Sequence, residues 1–317
     1  MCKSIVYAPN RVSIDQALIE AGLEAPVAKR EVYDAAGAVI PGMFRIARVD
    51  NGATVGINKG SRYNVIQHFE AIKHGLGNVT DSVDGQIVSS VLNLYRGRLA
   101  VVTVDVAESG IIGGDSVTAK ISIFSDHGDG GFGGLMSEQR PVCVNTYRIA
   151  TAQAIALGKY IAHRHTGDVI AKARNISDVL GLAKEAHNAF VDQARHLAGK
   201  PATTEDHRAY FERLFQIPTV TVIKVSDDAS TVIDERTTQQ RNMLEKLFEL
   251  SETGKGSDIP GVRGSYWGVV NAATEYDQHI RTRRGEDKAD HRAYSALLGD
   301  SADLSVKAMD LAIAMSR

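Results

Sequence analysis

Alternating apolar and polar positions predict a series of β-strands in the first half of the chain. The clearest run begins at residue 117, where Val117, Ala119 and Ile121 alternate with threonine, lysine and serine. Two other runs flank a four-residue loop at residues 95–98, which is typical of a β-hairpin. The predicted strands are residues 43–49, 53–58, 87–94, 99–106 and 117–124.

Apolar residues recur at intervals of three and four in most of the remaining chain, which predicts amphipathic helices. Ser13 and Thr203 are suitable residues to begin two of them, and Asn175 with Asp178 resembles a capping pair. A β-rich run at residues 219–225 and a charged, mobile surface segment at residues 281–290 interrupt this pattern. The predicted helices are residues 14–22, 64–76, 142–163, 175–197, 203–215, 234–250, 266–273 and 301–317.

This order of elements predicts an α+β protein. Strands dominate the first half, whose core is three strands followed by a helix, and helices dominate the second half. We therefore predict two domains with a boundary near residue 166. Residues 1–166 form a β-rich domain with packed helices, and residues 167–317 form a helical domain.

A glycine-rich stretch at residues 128–134 separates the last predicted strand from the helix predicted at residues 142–163. Glycine permits positive φ and close approach of the backbone, so the stretch is predicted to be a loop that presents backbone N–H groups to a ligand. Gly130 and Gly131 are expected at positive φ. Asn145 lies in an apolar segment and must be hydrogen-bonded if it is buried, which favours a structural role.

Composition limits the classes of function. The chain has 317 residues, 44% of them apolar and 23% charged, with a net charge of −2, so a nucleic-acid site has to be a local patch. Its two cysteines, Cys2 and Cys143, do not form a disulfide framework, which favours a reducing cytoplasm. No signal peptide and no apolar run of membrane-spanning length is present in the sequence, so we expect no membrane role.

Basic and aromatic residues gather at the ends of predicted elements, where rigid scaffolds usually present binding groups. A single-strand binding site needs cations that follow the phosphates and rings on which bases stack. Each of these residues taken alone is more typical of a solvated surface, since Lys and Arg are mostly exposed in any protein. Together they form a candidate nucleic-acid-binding set: Lys59, Arg62, Tyr63, Arg96, Arg98, Lys120, Arg140 and Arg148.

A metal site is the main alternative. Asp126, His127 and Asp129 precede or enter the glycine-rich stretch, and carboxylates with imidazole bind Mg²⁺, Mn²⁺ or Zn²⁺. The same carboxylates are also typical of a turn in which they accept backbone N–H bonds. No phosphate-binding loop, nucleophile elbow or zinc-protease motif occurs in the sequence. We therefore predict no catalytic residues and no cofactor, and we expect Cys143 and Trp267 in the core.

The segments GSRYNVIQHFEAI, ISIFSDHGDGG, RPVCVNTYRIA and GVRGSYWGVVNAATEYDQH follow one another along the chain. In this order they resemble a family encoded by phages and plasmids, the domain-of-unknown-function family 932. Of these, VCVNT and YWGVVNAATEY are the most specific, and the resemblance runs from about residue 43 to the C-terminus. The strand–strand–strand–helix order of residues 87–163 also resembles the core of the Red beta, RecT and Erf single-strand annealing proteins.

These resemblances imply sequence-independent binding of single-stranded DNA, with strand annealing, in phage or plasmid recombination. They imply a homo-oligomer, as a ring or filament, in the cytoplasm of a bacterial host, with a phage or plasmid exonuclease as partner. Annealing requires no nucleotide hydrolysis, so the protein is not expected to be an enzyme. Two hypotheses stay open beside it: a metal-dependent nucleic-acid enzyme centred on Asp126, His127 and Asp129, and a non-catalytic interaction protein.

Overall fold

The computed structural model describes residues 3–6, 12–82, 88–128, 130–148, 160–180, 183–226, 229–282 and 287–317. These residues form three antiparallel sheets, which lie mainly in the first half of the chain, and a set of helices that dominates the second half. The predicted α+β class is confirmed. The strands are β1 (Lys3–Val6), β2 (Val27–Tyr33), β3 (Val39–Arg48), β4 (Thr54–Lys59), β5 (Val88–Leu94), β6 (Leu99–Gly110), β7 (Ser116–Asp126), β8 (Gly131–Arg140), β9 (Asn145–Arg148), β10 (Tyr160–His163), β11 (Thr221–Ser226) and β12 (Ala229–Ile233).

The described helices confirm most of the predicted ones, with shifted ends. They are α1 (Ile14–Glu20), α2 (His68–Ser82), α3 (Val169–Leu180), α4 (Ala183–Ala198), α5 (Thr204–Phe215), α6 (Thr238–Thr253), α7 (Tyr266–Glu275), α8 (Lys288–Leu298) and α9 (Asp300–Met315). Ser13 caps α1 and Thr203 forms a capping box before α5, as predicted. The capping pair at Asn175 is wrong, because α3 runs through it. The mobile segment predicted at residues 281–290 is wrong in its last part, where α8 begins.

The central sheet has the strand order β1-β5-β6-β7-β8-β10, and β9 pairs with the C-terminal end of β8. The prediction of a loop for the glycine-rich stretch is therefore wrong from Gly131 onward, because these residues form strand β8. Gly133 lies opposite Phe124, and Gly134 lies opposite Ile123. These glycines have no side chains, so the small residues leave room for the large ones across the strand. The same lack of side chains hid the period-two pattern from the sequence.

The helix predicted at residues 142–163 is also wrong where the structure describes it. Residues 141–144 form a turn, in which Val144 has φ 59°. Strand β9 comes directly after this turn, and β10 begins at residue 160. Residues 149–159, between the two strands, lie outside the described part. The apolar spacing of residues 142–163 predicted a helix. In the structure, β9 and β10 within this segment both pair with β8 instead. Local propensity is a weak guide where such tertiary contacts compete with it.

The structure has two large hydrophobic cores, one on a face of the central sheet and one among the helices of the second half. Helices α1, α2 and α3 cover one face of the central sheet and bury Ile72, Val102 and Ile123. Helices α4 to α7 and α9 surround Trp267, which is fully buried as expected. Both cores contain residues from each side of residue 166, and a domain boundary there stays a prediction. Within the described residues, no helix combines the length and apolar character needed to cross a membrane.

Candidate functional site

A pocket of about 530 Å³ opens at the end of the central sheet that carries the turn between β7 and β8. Three cationic side chains from two separate segments line it: Lys59 at the end of β4 with Arg62 just after it, and Arg164 after β10. None of the described residues that line it is acidic. We call this the cationic pocket. It brings together Lys59, Arg62 and Tyr63 of the predicted set with Arg164, which the set did not include.

Backbone contacts hold the walls of the cationic pocket together. The N–H group of Asn64 donates to the carbonyl of His165 over 2.7 Å, so the segment after β4 lies against the segment after β10. Gly131, at φ 71°, lies so close to β10 that a Cβ there would be 2.2 Å from the carbonyl oxygen of His163. A side chain at this close approach would separate the strands. The small residue is therefore required by the geometry of the pocket walls.

The three cations differ in exposure. Arg62 and Arg164 are exposed, whereas Lys59 is 8% exposed and donates from its ammonium group to the carbonyl of Gly128. A lysine ammonium has three donors, and Lys59 also lies 5.5 Å from the centre of the Tyr63 ring. The pocket thus has one anchored positive charge at its wall and two at its mouth. That arrangement fits an anion with several acceptor oxygens.

The turn between β7 and β8 is built on Asp126. Its carboxylate accepts hydrogen bonds from the N–H groups of Gly128 and Gly130, and Arg98 donates to it over 3.1 Å. Gly130 is not at positive φ, so that expectation is wrong, whereas the positive φ of Gly131 is confirmed. Alanine at residue 130 would place its Cβ 2.7 Å from the Asp126 carboxylate.

This geometry bears on the metal hypothesis. Both carboxylate oxygens of Asp126 already accept bonds from the turn and from Arg98. Within the described part of the chain, no three His, Cys, Asp or Glu side chains are arranged to hold a metal ion. Asp129 lies outside that part. Asp126 therefore has the structural role that the sequence offered as its other interpretation.

Behind the cationic pocket lies a row of buried histidines, His68, His127 and His165. Ring centres are 4.4 Å apart for His68 and His127, and 5.5 Å apart for His127 and His165. Nε2 of His68 bonds to the carbonyl of Gly97, and Nε2 of His165 bonds to the carbonyl of Asp126. Since a carbonyl only accepts, both Nε2 atoms carry the proton and both Nδ1 atoms are unprotonated.

The remaining ring nitrogens of these histidines, Nδ1 of His68, Nε2 of His127 and Nδ1 of His165, are buried and have no partner among the described residues. Burial lowers the pKa of all three imidazoles, and that of His165 falls to about 4. The row is therefore neutral at pH 7. His165 also lines the cationic pocket, so it joins the row to the pocket wall. Of this row, the sequence singled out only His127, as a candidate metal ligand.

Tyr63 connects the pocket to the histidine row. Its ring stacks on His165 at 4.7 Å between centres, and its hydroxyl bonds to Nδ1 of His127 over 2.9 Å. Burial of the ring raises the pKa of its hydroxyl. One ring face is thus already in contact with protein, so Tyr63 supports the wall of the pocket more directly than it offers a free platform for a base.

The structure disperses the rest of the predicted set. Arg98 lies against Gly128 on the turn of the pocket, and Arg96 is exposed one turn away at φ 61°. Lys120 lies on the sheet near a second cavity, paired with Asp105. Arg140 is fully buried, so its assignment to a nucleic-acid surface is wrong. The backbone of Arg148 lies in β9 opposite Ser137.

Arg140 belongs instead to a buried network that the sequence did not reveal. Its guanidinium donates to Asp115 over 2.8 Å, and the Trp267 indole donates to the same carboxylate over 2.8 Å. Arg140 also donates to the carbonyls of Lys255 and Gly256. Strand and helix segments far apart in the chain are joined by these bonds.

Asn145 extends this network. Its amide donates to the carbonyl of Asn271 and to the hydroxyl of Thr274, and its oxygen bonds to His279. It is fully buried and hydrogen-bonded, as expected, and it joins β9 to α7. We call the whole group the polar seam: Asp115, Arg140, Asn145, Tyr147, Trp267, Asn271, Thr274 and Gln278. Cys143 beside it is buried, which raises the pKa of its thiol.

The fold and the pocket define an α+β protein that carries an open cationic pocket at one end of its central sheet. The family model of the domain of unknown function DUF932 matches residues 58–298, and the chain belongs to that family. No curated protein and no solved structure matches the chain. The resemblance to the Red beta, RecT and Erf proteins gains no support from these comparisons.

Proposed function

We propose that the protein binds single-stranded DNA, without preference for sequence, by holding backbone phosphates at the cationic pocket. The observation that carries the proposal is the convergence of Lys59, Arg62 and Arg164 on one pocket with no acidic residue among its described lining. Non-specific binding of single strands depends mainly on such cations. The chain as a whole is slightly acidic, so this local concentration of positive charge is the more significant.

The cationic surface continues beyond the pocket. Lys59 and Arg98 approach Gly128 from different elements, since Lys59 bonds to its carbonyl and a Cβ at Gly128 would be 2.0 Å from Nε of Arg98. The Arg98 side chain is 40% exposed despite its bond to Asp126. Arg62, Arg164 and Arg98 therefore supply successive positive charges around one turn. A strand that passes over this turn meets more than one of them.

Annealing and assembly complete the proposal. A homo-oligomer, as a ring or filament, would align many pockets along one strand, and base pairing itself would then drive annealing without nucleotide hydrolysis. A phage or plasmid exonuclease would supply the single strands within a bacterial cytoplasm. The hypothesis of a metal-dependent enzyme has less structural basis, because Asp126 serves the turn. A non-catalytic interaction protein remains the other hypothesis.

The test is fluorescence anisotropy of a labelled single-stranded oligonucleotide at several salt concentrations, with and without EDTA. Arg62→Ala and Arg164→Ala should each weaken binding and flatten the log–log salt slope by about 0.7 for each phosphate that the variant no longer neutralises. Lys307→Ala is the matched control, because Lys307 is exposed on α9 in the helical half. Unchanged slopes in both arginine variants would refute the site. Binding that requires a divalent cation would favour the metal-dependent hypothesis instead.

A further inference from the structure

A second cavity, of about 510 Å³, lies between the central sheet and α8. Its sheet wall carries the hydroxyl groups of Ser90, Thr103 and Ser137, and its helix wall carries Ala293 and Ala296. We call it the sheet–helix cavity. Its size is within the range of about 300–1,000 Å³ that small-molecule sites occupy, and such sites combine apolar walls with a few polar groups.

Helix α8 packs against the sheet beside the cavity, where Tyr294 and Leu297 lie against the buried cluster that contains Val101. The carboxylate of Asp290 accepts a hydrogen bond from the N–H group of Tyr95 over 2.6 Å, and Tyr294 meets the Tyr95 ring edge-on. Arg292 donates to the carbonyls of Gln278 and Arg281. Between these anchors Ala293 and Ala296 line the cavity from one face of the helix, and their small side chains fill little of its volume.

The charges around the sheet–helix cavity are of one sign. Lys120 lines it from the sheet and Arg292 from the helix, and none of its described lining residues is acidic. Lys120 is paired with Asp105, whereas Arg292 donates to carbonyls and pairs with no carboxylate among the described residues. The guanidinium therefore has a positive charge that is not balanced at the cavity wall. A carboxylate would complement it through paired N–H bonds.

We infer that the sheet–helix cavity binds a small amphipathic carboxylate, with its carboxylate at Arg292 and its apolar body between the sheet and α8. Leu92 and Leu297 provide the apolar contact on the two walls. Lys120, which is paired with Asp105, lines the cavity from the sheet side. The inference does not depend on DNA binding, because the cationic pocket has a separate set of lining residues.

Isothermal titration of the full-length protein with decanoate, below its micellar concentration and without DNA, tests the inference. We expect one site per chain and at least tenfold weaker binding of 1-decanol, which has the same chain without the charge. Arg292→Gln should weaken decanoate binding at least tenfold. Arg281→Gln is the matched control, because Arg281 is exposed, pairs with Asp277 and does not line the cavity.

Two cavity-filling variants, Ala293→Leu and Ala296→Leu, should each remove decanoate binding while the melting temperature is kept or raised. Two such variants protect the test against one that fails to fold. No binding, several equivalent sites per chain, equal binding of decanoate and decanol, or full binding by Arg292→Gln would each overturn the inference. Loss of DNA binding in the cationic-pocket variants leaves the decanoate result unchanged, so the two proposals fail separately.

Discussion

The polar seam and the cationic pocket are both rich in polar groups, yet their hydrogen bonding differs. In the polar seam, Arg140 and Asp115 are excluded from solvent and bonded to each other, and Asn145 uses both ends of its amide. In the cationic pocket, Arg62 and Arg164 are exposed, and buried imidazole nitrogens behind the wall have no partner among the described residues. Satisfied buried polar groups specify a fold, whereas unused capacity marks a place for a ligand.

The comparison also locates the two segments on which the sequence resemblance to the family mainly rested. VCVNT and YWGVVNAATEY meet in the polar seam, where Asn145 of the first segment donates to the Asn271 carbonyl and the Thr274 hydroxyl of the second. These residues hold distant parts of the chain together and face away from solvent. In this chain the two segments therefore have a structural role, while the proposed binding residues lie elsewhere.

Arg140→Ala is the largest expected disruption of the polar seam. It leaves the carboxylate of Asp115 buried beside only the Trp267 indole, and breaking a buried pair by removing one partner costs about 3–5 kcal/mol. Urea unfolding followed by circular dichroism measures the change. The protein that remains folded should bind single strands with unaltered affinity. A destabilisation below about 1 kcal/mol would contradict the structural importance of the seam.

Acidification tests the histidine row. The pKa of His165 is about 4 in the folded protein, below the ordinary 6.5, so below pH 6.5 the unfolded chain binds more protons. Stability is therefore full above pH 6.5 and falls as the pH drops towards 4, by about 3 kcal/mol for this residue. Thermal melts of wild type and His165→Phe across this window measure it, and the variant should show a shallower decline. His291→Phe, at an exposed position on α8, should leave the wild-type decline unchanged; an equally steep decline in His165→Phe would contradict the assignment.

Gly131→Ala tests whether this residue contacts DNA directly or only maintains the close approach of β8 and β10. At φ 71°, with β10 against it, alanine is strained and clashes with the carbonyl of His163; left-handed strain alone costs about 1–3 kcal/mol. We expect the melting temperature and DNA affinity to fall together. Gly77→Ala is the control, since a Cβ there meets nothing within 4 Å. Loss of affinity at an unchanged melting temperature would restore a direct binding role to this residue.

Tyr63→Phe should have the smallest effect. It removes the hydrogen bond to His127 but keeps the stacking on His165, so the expected cost in stability is about 1 kcal/mol. DNA affinity at constant salt should be unchanged, because the ring stays in place. Anisotropy and thermal melts on the same preparation check both. A marked fall in affinity would show that the hydroxyl itself contacts the ligand.

Much of the fold could be predicted because its signals are local. Period-two alternation revealed β5, β6 and β7, and Ser13 and Thr203 cap helices as predicted. Half of the candidate site followed as well, since Lys59, Arg62 and Tyr63 stand together in the sequence and line one pocket. Each of these features depends on neighbours within about one turn of chain, which is the range that sequence patterns report.

The tertiary structure alone decided the rest. Strand β8 has too many glycines to show alternation, and it became a strand because β7 and β10 pair with it on both sides. In the sequence Arg140 has the features of a surface cation. In the structure it is buried and donates to Asp115, which also accepts a hydrogen bond from the Trp267 indole. Arg164 reached the pocket only because β10 returns to β8, about 30 residues away along the chain. Burial, pairing and convergence are relations between distant segments, so no local pattern of residue types could contain them.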